Sequence, residues 1–498
     1  MPLFWILYYG DVDIATWEWP VSILYILLLY TYFARMKNVA IKKDPEYKHL
    51  LWGLFAKLFG GIAFSLIYFY YYKGGDTISY FYSAIPLSRM ARVDFTTFLS
   101  LLFGPNDLEH LQMFYKVGVI PYTYVYFDSR TFLVIRLITP LVIITFNSFL
   151  ITTLMLSSIC YIGIWRCYRT FVSYYPSLMN KLAIAFLYMP SVVFWGSGIL
   201  KDTITLSATC WWIHCLDEVF FKRRRFFFNI LGLVVSTTLL IMIKAYIFMA
   251  LFPVSLLWLF FYRVSRMKNA LLRYGTLPLA MIMILTMSLF VLTYFQDSLG
   301  KFALDKAAET VMVSQADLKR TEQYGDNFFD LGPMDGTFTG MLKKFPKAVN
   351  AALFRPYIWE SSSVVVALSA LENFWLFGFL LYILWRTRVW YLLRIITGNP
   401  LVLMCILFSV IFGFIIGIST PNFGALVRFK IPLVPFFVAA MFICKLILDR
   451  RREKMRKGER FRLRDYMAGE QLVSTIGKRP DARMRGTSQI TGHRSSQR

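Results

Sequence analysis

Acidic residues are scarce in this chain, 29 against 54 Lys and Arg, and only four histidines occur in 498 residues. No Walker A, GxGxxG, HExxH or GxSxG element stands in a fitting context, so nucleotide hydrolysis and Ser-triad chemistry find no support. Charge of either sign is thin: 17% of residues are charged and 57% are hydrophobic. With a mean hydropathy of +0.53, the chain is too apolar for a water-soluble domain of this size. The six cysteines (Cys160, Cys167, Cys210, Cys215, Cys405, Cys444) lie in or beside apolar segments and form no spaced framework. They read as small buried hydrophobes. His214 sits between Cys210 and Cys215, but only Cys210 and His214 share a helix face and no paired motif follows, so no structural metal is expected there. No internal repeat supports an inverted-repeat transporter. The N-terminus lacks a basic n-region and an obvious cleavage site, so the first span is expected to act as the membrane signal.

What is present is a series of long apolar runs. A spanning helix needs about 20 apolar residues, and candidate spans lie near 19–36, 50–72, 132–158, 181–200, 203–221, 228–244, 246–262, 275–295, 364–385, 397–418 and 425–447. The expectation is an all-α polytopic membrane bundle of about 11 transmembrane helices. The stretch 131–167 is long for one crossing and has room for a short re-entrant piece besides a span. The net charge of +25 does not point to nucleic acid, because residues 449–498 alone hold 15 Lys and Arg against 6 Asp and Glu. Much of the remainder sits in KNVAIKK, FKRRR, YRVSRMK and WRTR. With those loops in the cytoplasm, as the positive-inside rule requires, the C-terminus is cytoplasmic. The setting expected is a membrane that the chain crosses many times.

This threading divides the chain into a transmembrane bundle, 1–448, and a basic tail, 449–498. The tail is expected to be largely disordered after a short helical extension, with its basic start on anionic headgroups. Two stretches, about 73–130 and 296–362, are too polar to cross and too long for simple connectors. Both fall outside, and AIPLSRMARVDFTTFLSLLF and GMLKKFPKAVNAALFRPYIWE in them read as interfacial helices roofing a cavity.

The charges left over gather on that same outer side, where a charge at membrane depth usually marks a site. In YYKGGDTISYFYSA the glycines break a span just before Asp76. A desolvated Asp there is a candidate general base, or else the N-cap of a helix over 77–84. In MPSVVFWGSGILKDTITLSATCWW, Lys201 and Asp202 lie at a tight turn. Lys201 can bind a phosphate oxygen while Asp202 orients substrate or base; alternatively Asp202 caps the next helix and Lys201 snorkels. Lys244 falls where one span meets the next. Arg428 and Lys430 lie about one turn into the last span, facing different ways; an Arg fork suits phosphate, with snorkelling as the alternative. Before another span come Arg355, which with Lys430 is a further candidate for the lipid phosphate, and Glu360, a second acid/base or part of an interfacial belt with Tyr357 and Trp359.

The order of these features, a span, an outside Asp76, a long outside loop with interfacial helices and a later outside turn bearing Asp202, resembles the multi-spanning GT-C glycosyltransferases that use polyprenyl-phosphate sugars. The terminal NFGALVRFKIPLVPFF is similar to the last span of bacterial membrane proteins of cell-surface polysaccharide assembly. The resemblance implies Asp76 as catalytic base and Asp202 as supporting acid, with Lys201, Lys244 or Arg428 on the lipid phosphate. An extra span precedes the one leading to Asp76, its neighbour is Thr77 and not a second acid, and no large soluble C-terminal domain follows. No cofactor is required by any motif, and a divalent metal stays open. The implied partners are a polyprenyl-phosphate-linked sugar, a glycan or lipid acceptor, and membrane lipids. A polymerase or ligase of lipid-linked glycans is the enzyme alternative, and a lipid or saccharide transporter the non-enzyme one.

Overall fold

The computed structural model describes residues 14–265, 307–319, 327–333, 336–361, 363–461 and 463–466, with short pieces between 282 and 294. Within these residues the fold is an all-α bundle with no strand, only an isolated bridge between Phe328 and Asn422. Among the described residues six helices are long and apolar enough to cross a membrane: Glu18–Ala40, Pro45–Tyr71, Phe149–Tyr174, Phe226–Phe261, Val364–Arg386 and Pro400–Ser419. A seventh span forms if the bent pair Phe423–Phe429 and Val434–Arg456 is counted as one.

Several of the expected runs depart from straight helices in ways that hydropathy does not register. The run 132–158 is two helices, Ser129–Ile144 and Phe149–Tyr174, because Phe146 and Asn147 adopt left-handed backbone (φ 54° and 62°) between them. The run 181–200 is no straight span: Met179–Ala183 passes through a π-turn into the short helix Pro190–Trp195. The run 203–221 is continuous, the helix Lys201–Leu216 passing directly into a π-turn over Asp217–Lys222. The last run is bent by 66° between Phe429 and Val434, so Arg428 sits on a separate short helix and not one turn into a continuous span. The run 275–295 falls mostly outside the described residues.

Phe226–Ser265 is helical throughout except at Lys244, whose backbone is extended (φ −140°, ψ 76°). Cys215 reaches Asn229 at 3.7 Å, while Trp258 packs on Phe221 with ring centroids 4.9 Å apart. Residues 229 and 258 of a straight helix would lie about 43 Å apart at 1.5 Å per residue. Cys215 and Phe221 are neighbours on one segment, so the chain must fold back at Lys244. Both halves then run along Lys201–Leu216, as two spans at 228–244 and 246–262 would, and Lys244 occupies the apex.

The two roofing segments also take more pieces than expected. The first is Asp76–Val93 followed by Phe95–Phe103, divided at Asp94, whose side chain accepts from the Thr97 amide at 3.0 Å. The second contains Phe345–Phe354, pressed so tightly on Pro400–Ser419 that a Cβ at Gly417 would come 2.1 Å from the Ala348 carbonyl oxygen. In the tail, helix Val434–Arg456 carries past 449, and Tyr466 is buried, its carbonyl accepting from Asn399 at 3.2 Å and the Tyr175 hydroxyl at 3.4 Å. The start of the tail is therefore docked; residues 467–498 lie outside the described set.

Candidate functional site

Asp76 is delivered by a backbone that only glycine suits. Lys48–Leu66 runs on as a π-turn to Tyr71, and Gly75 then takes φ 108°, where a Cβ would also meet the Tyr68 ring at 2.8 Å. Gly75, and not Asp76, holds the N-cap position of the helix Asp76–Val93. The capping reading of Asp76 is thus overturned: its carboxylate turns inward and accepts from Arg428 Nη1 at 2.7 Å.

Asp202 departs from its capping alternative in the same way. Leu200 occupies the N-cap without a side-chain bond, and the fully buried Asp202 accepts from Arg428 Nε at 2.7 Å and from the Lys244 ammonium. The extended backbone at Lys244 brings its nitrogen 4.1 Å from the centre of the Phe429 ring. Lys244 is 6% exposed and so does not snorkel. Arg428 stands on the helix Phe423–Phe429, capped by the Asn422 side chain. One guanidinium thus bridges two carboxylates through different nitrogens, a task a single ammonium performs less well.

Beside this cluster lies a cavity of about 380 Å³, whose lining includes Asp76, Asp128, Arg130, Lys201, Lys244 and Arg428 together with apolar residues such as Val311, Leu318, Phe414 and Ile415. Asp76 and Asp128 are the accessible acids of the lining, with 46% and 47% of their side chains exposed, whereas Asp202 has none. Lys201 reaches the cavity but not Asp202; it is tied to Asp128 at 3.2 Å and to the Thr131 hydroxyl. Burial would push the Asp128 carboxyl up, yet the Lys201 ammonium and the Thr131 and Arg130 hydrogen bonds hold it below the usual carboxylate range. Asp128 and Arg130 carry little signal in the sequence. Their signal is YFDSR, an N-cap aspartate followed by arginine at the start of an apolar run, which reads as an ordinary helix start.

Three expected site residues are placed elsewhere. Lys430, two positions from Arg428, donates to Asn373 Oδ1 at 2.6 Å and to the Arg355 carbonyl at 3.3 Å. Arg355 Nε donates to Glu360 at 3.1 Å, and its guanidinium lies 4.7 Å from the centre of the Phe329 ring. Glu360 is closed by that ion pair and by the Tyr357 amide at 2.9 Å. None of the three lines the cavity; they brace the segments around Phe423–Phe429. His214 is bonded to the Thr170 hydroxyl at 2.9 Å. Among the described residues no group of three His, Cys, Asp or Glu side chains converges as a metal site.

No family model, curated protein or solved structure matches this chain.

Proposed function

We propose that the protein is an integral-membrane glycosyltransferase that moves a sugar from a polyprenyl-phosphate donor to a glycan or lipid acceptor at the outer face of a bacterial inner membrane, with its C-terminus in the cytoplasm. The observation that carries the reading is the half-exposed Asp76, joined through Arg428 to the buried Asp202 at the edge of a cavity whose lining combines these charges with apolar residues. An amphiphilic donor fits such a space: its phosphate meets the cations and its chain meets the apolar residues.

In the reaction, an acceptor hydroxyl oxygen bonds to the anomeric carbon as the bond from that carbon to the phosphate oxygen breaks. The hydroxyl proton passes to Asp76, and the electron pair of the broken bond leaves with the phosphate. Asp202 stays ionised between Lys244 and Arg428 and fixes both cations. Counting Arg130 and Lys201 with those two, four cations face the three carboxylates of Asp76, Asp128 and Asp202. The excess of positive charge is poised for an anionic headgroup, and preorganised charge of this kind stabilises a leaving phosphate. The helix Ala307–Leu318, whose Thr310, Val311, Ser314 and Leu318 line the cavity, narrows access of water to the reacting atoms.

The alternative of a lipid-linked glycan polymerase or ligase puts the weight on Arg428 and not on Asp76. The direct bond between the two residues makes Arg428 variants uninformative between the readings, because losing the guanidinium also releases Asp76. Asp76→Asn is the variant that separates them. The activity itself is tested by transfer of a radiolabelled sugar from a defined polyprenyl-phosphate donor in reconstituted vesicles; donor consumption without a glycosylated product, or labelled sugar merely crossing the bilayer, would rule the reading out.

A further inference from the structure

Of the charged side chains buried outside the cavity, two end on the same short helix. Lys57, 2% exposed in the middle of Lys48–Leu66, donates to the carbonyls of Val192 at 3.1 Å and of Gly196. Glu372, 7% exposed in Val364–Arg386, accepts from the Ser191 amide at 2.7 Å and from the Ser191 hydroxyl at 2.6 Å. Between these contacts runs Pro190–Trp195. Its first amides and last carbonyls have no intrahelical partners. An acid at the amino end and an ammonium at the carboxyl end match the partial charges of those groups.

The same short helix leads straight into the site. After Gly196, the Gly198 carbonyl accepts from Thr203 at 2.6 Å, closing the turn that presents Lys201 and Asp202. Glu372 is followed by Asn373, which holds Lys430 two residues beyond Arg428. Adjacent residues of one helix therefore anchor both arms of the Asp202–Arg428 ion pair. Burying charges is costly unless their partners are well placed, and simple packing against the Pro190–Trp195 segment would need neither of them.

We infer that Lys57 and Glu372 form a two-ended clamp on Pro190–Trp195 that positions the Lys201–Asp202 turn against Arg428, making them positioning residues of the cavity. The inference rests on the cavity being the reaction site. Removing either end frees the segment, and Asp202 loses its register with Arg428 while the long helices stay in place.

The test is hydrogen–deuterium exchange of the full chain in lipid nanodiscs, with Lys57→Met, Lys57→Gln, Glu372→Leu and Glu372→Gln against wild type. Exchange over 190–203 should rise by about tenfold or more in Lys57→Met and Glu372→Leu. It should rise less in the two Gln variants, which keep a polar group near the helix ends. Exchange over 149–174 and 434–456 should not change. Unaltered exchange over 190–203, or an equal rise across all these helices, would overturn the clamp; a variant that fails to fold is replaced in the comparison by its Gln counterpart at the same position. Sugar transfer is scored separately: kcat of Lys57→Gln and Glu372→Gln should fall by about tenfold with KM held, and a rise in KM with kcat unchanged would contradict positioning. If wild type transfers no sugar, the functional reading fails while the exchange result still decides the clamp.

Discussion

Arg428 and Asp76 are separated by 352 positions in the chain, yet their charged groups meet at 2.7 Å, and the second arm of the same guanidinium reaches the buried Asp202 at 2.7 Å. The pair joins the end of the second span to the short helix before the last one. It makes the geometry of the cavity sensitive to the shape of a single side chain.

Arg428→Lys should therefore be far from conservative. A lysine ammonium can satisfy Asp202 or Asp76 but lacks the fork that spans both. Sugar transfer is expected to drop by about a hundredfold, with the protein still monodisperse in detergent. Retention of wild-type turnover by Arg428→Lys would show that bridging is unimportant.

The two aspartates should differ sharply in their effect on stability. Asp202→Ala leaves Lys244 buried without its acid, and breaking a buried pair costs about 3–5 kcal/mol. Asp76 is half exposed, so Asp76→Asn should cost at most about 1 kcal/mol. Unfolding midpoints in a mixed-micelle titration compare the two directly; equal losses would mean that Asp202 is not the enclosed member of the cluster.

Asp128 supplies a pH dependence of defined sign. Its carboxyl sits below the ordinary value because the Lys201 ammonium and nearby hydrogen bonds outweigh its burial. Its contribution to stability is thus complete above the unfolded aspartate pKa of about 3.9 and disappears as pH falls through the lower folded value. The gap in melting temperature between wild type and Asp128→Asn should be flat from neutral pH down to about 5 and close at more acid pH. A gap that widened on acidification would reverse the assignment.

Glu360 gives a contrasting expectation. Bonded to Arg355 and the Tyr357 amide and absent from the cavity wall, it has no route to substrate, and Glu360→Gln should transfer sugar at the wild-type rate in the same vesicles. Loss of turnover without loss of stability would restore it as an acid/base candidate.

The parts of this molecule legible in its sequence were those that membrane energetics makes conspicuous. Asp76, Asp202, Lys244 and Arg428 stood out because a charge beside an apolar run is costly wherever it faces lipid, and the structure gathers all four. Lys57 in LFAKLFGG and Glu372 in ALENFW carry the same signal, but each sits inside a long apolar run that hydropathy reads as an ordinary span. Hydropathy cannot tell the broken run 181–200 from a straight helix, since both bury the same apolar side chains. The break at Phe146 and Asn147 depends on left-handed backbone, which neither residue type announces. Glu360 and Arg355 looked like site residues because their distance along the chain from Phe423–Phe429 concealed a bracing role.

The most direct test of the account is single-turnover sugar transfer by Asp76→Asn in vesicles with a defined polyprenyl-phosphate sugar, alongside wild type of matched stability. The account predicts active wild type and a fall of about a hundredfold or more in the variant, the usual weight of a general base. Transfer by Asp76→Asn at the wild-type rate would contradict it.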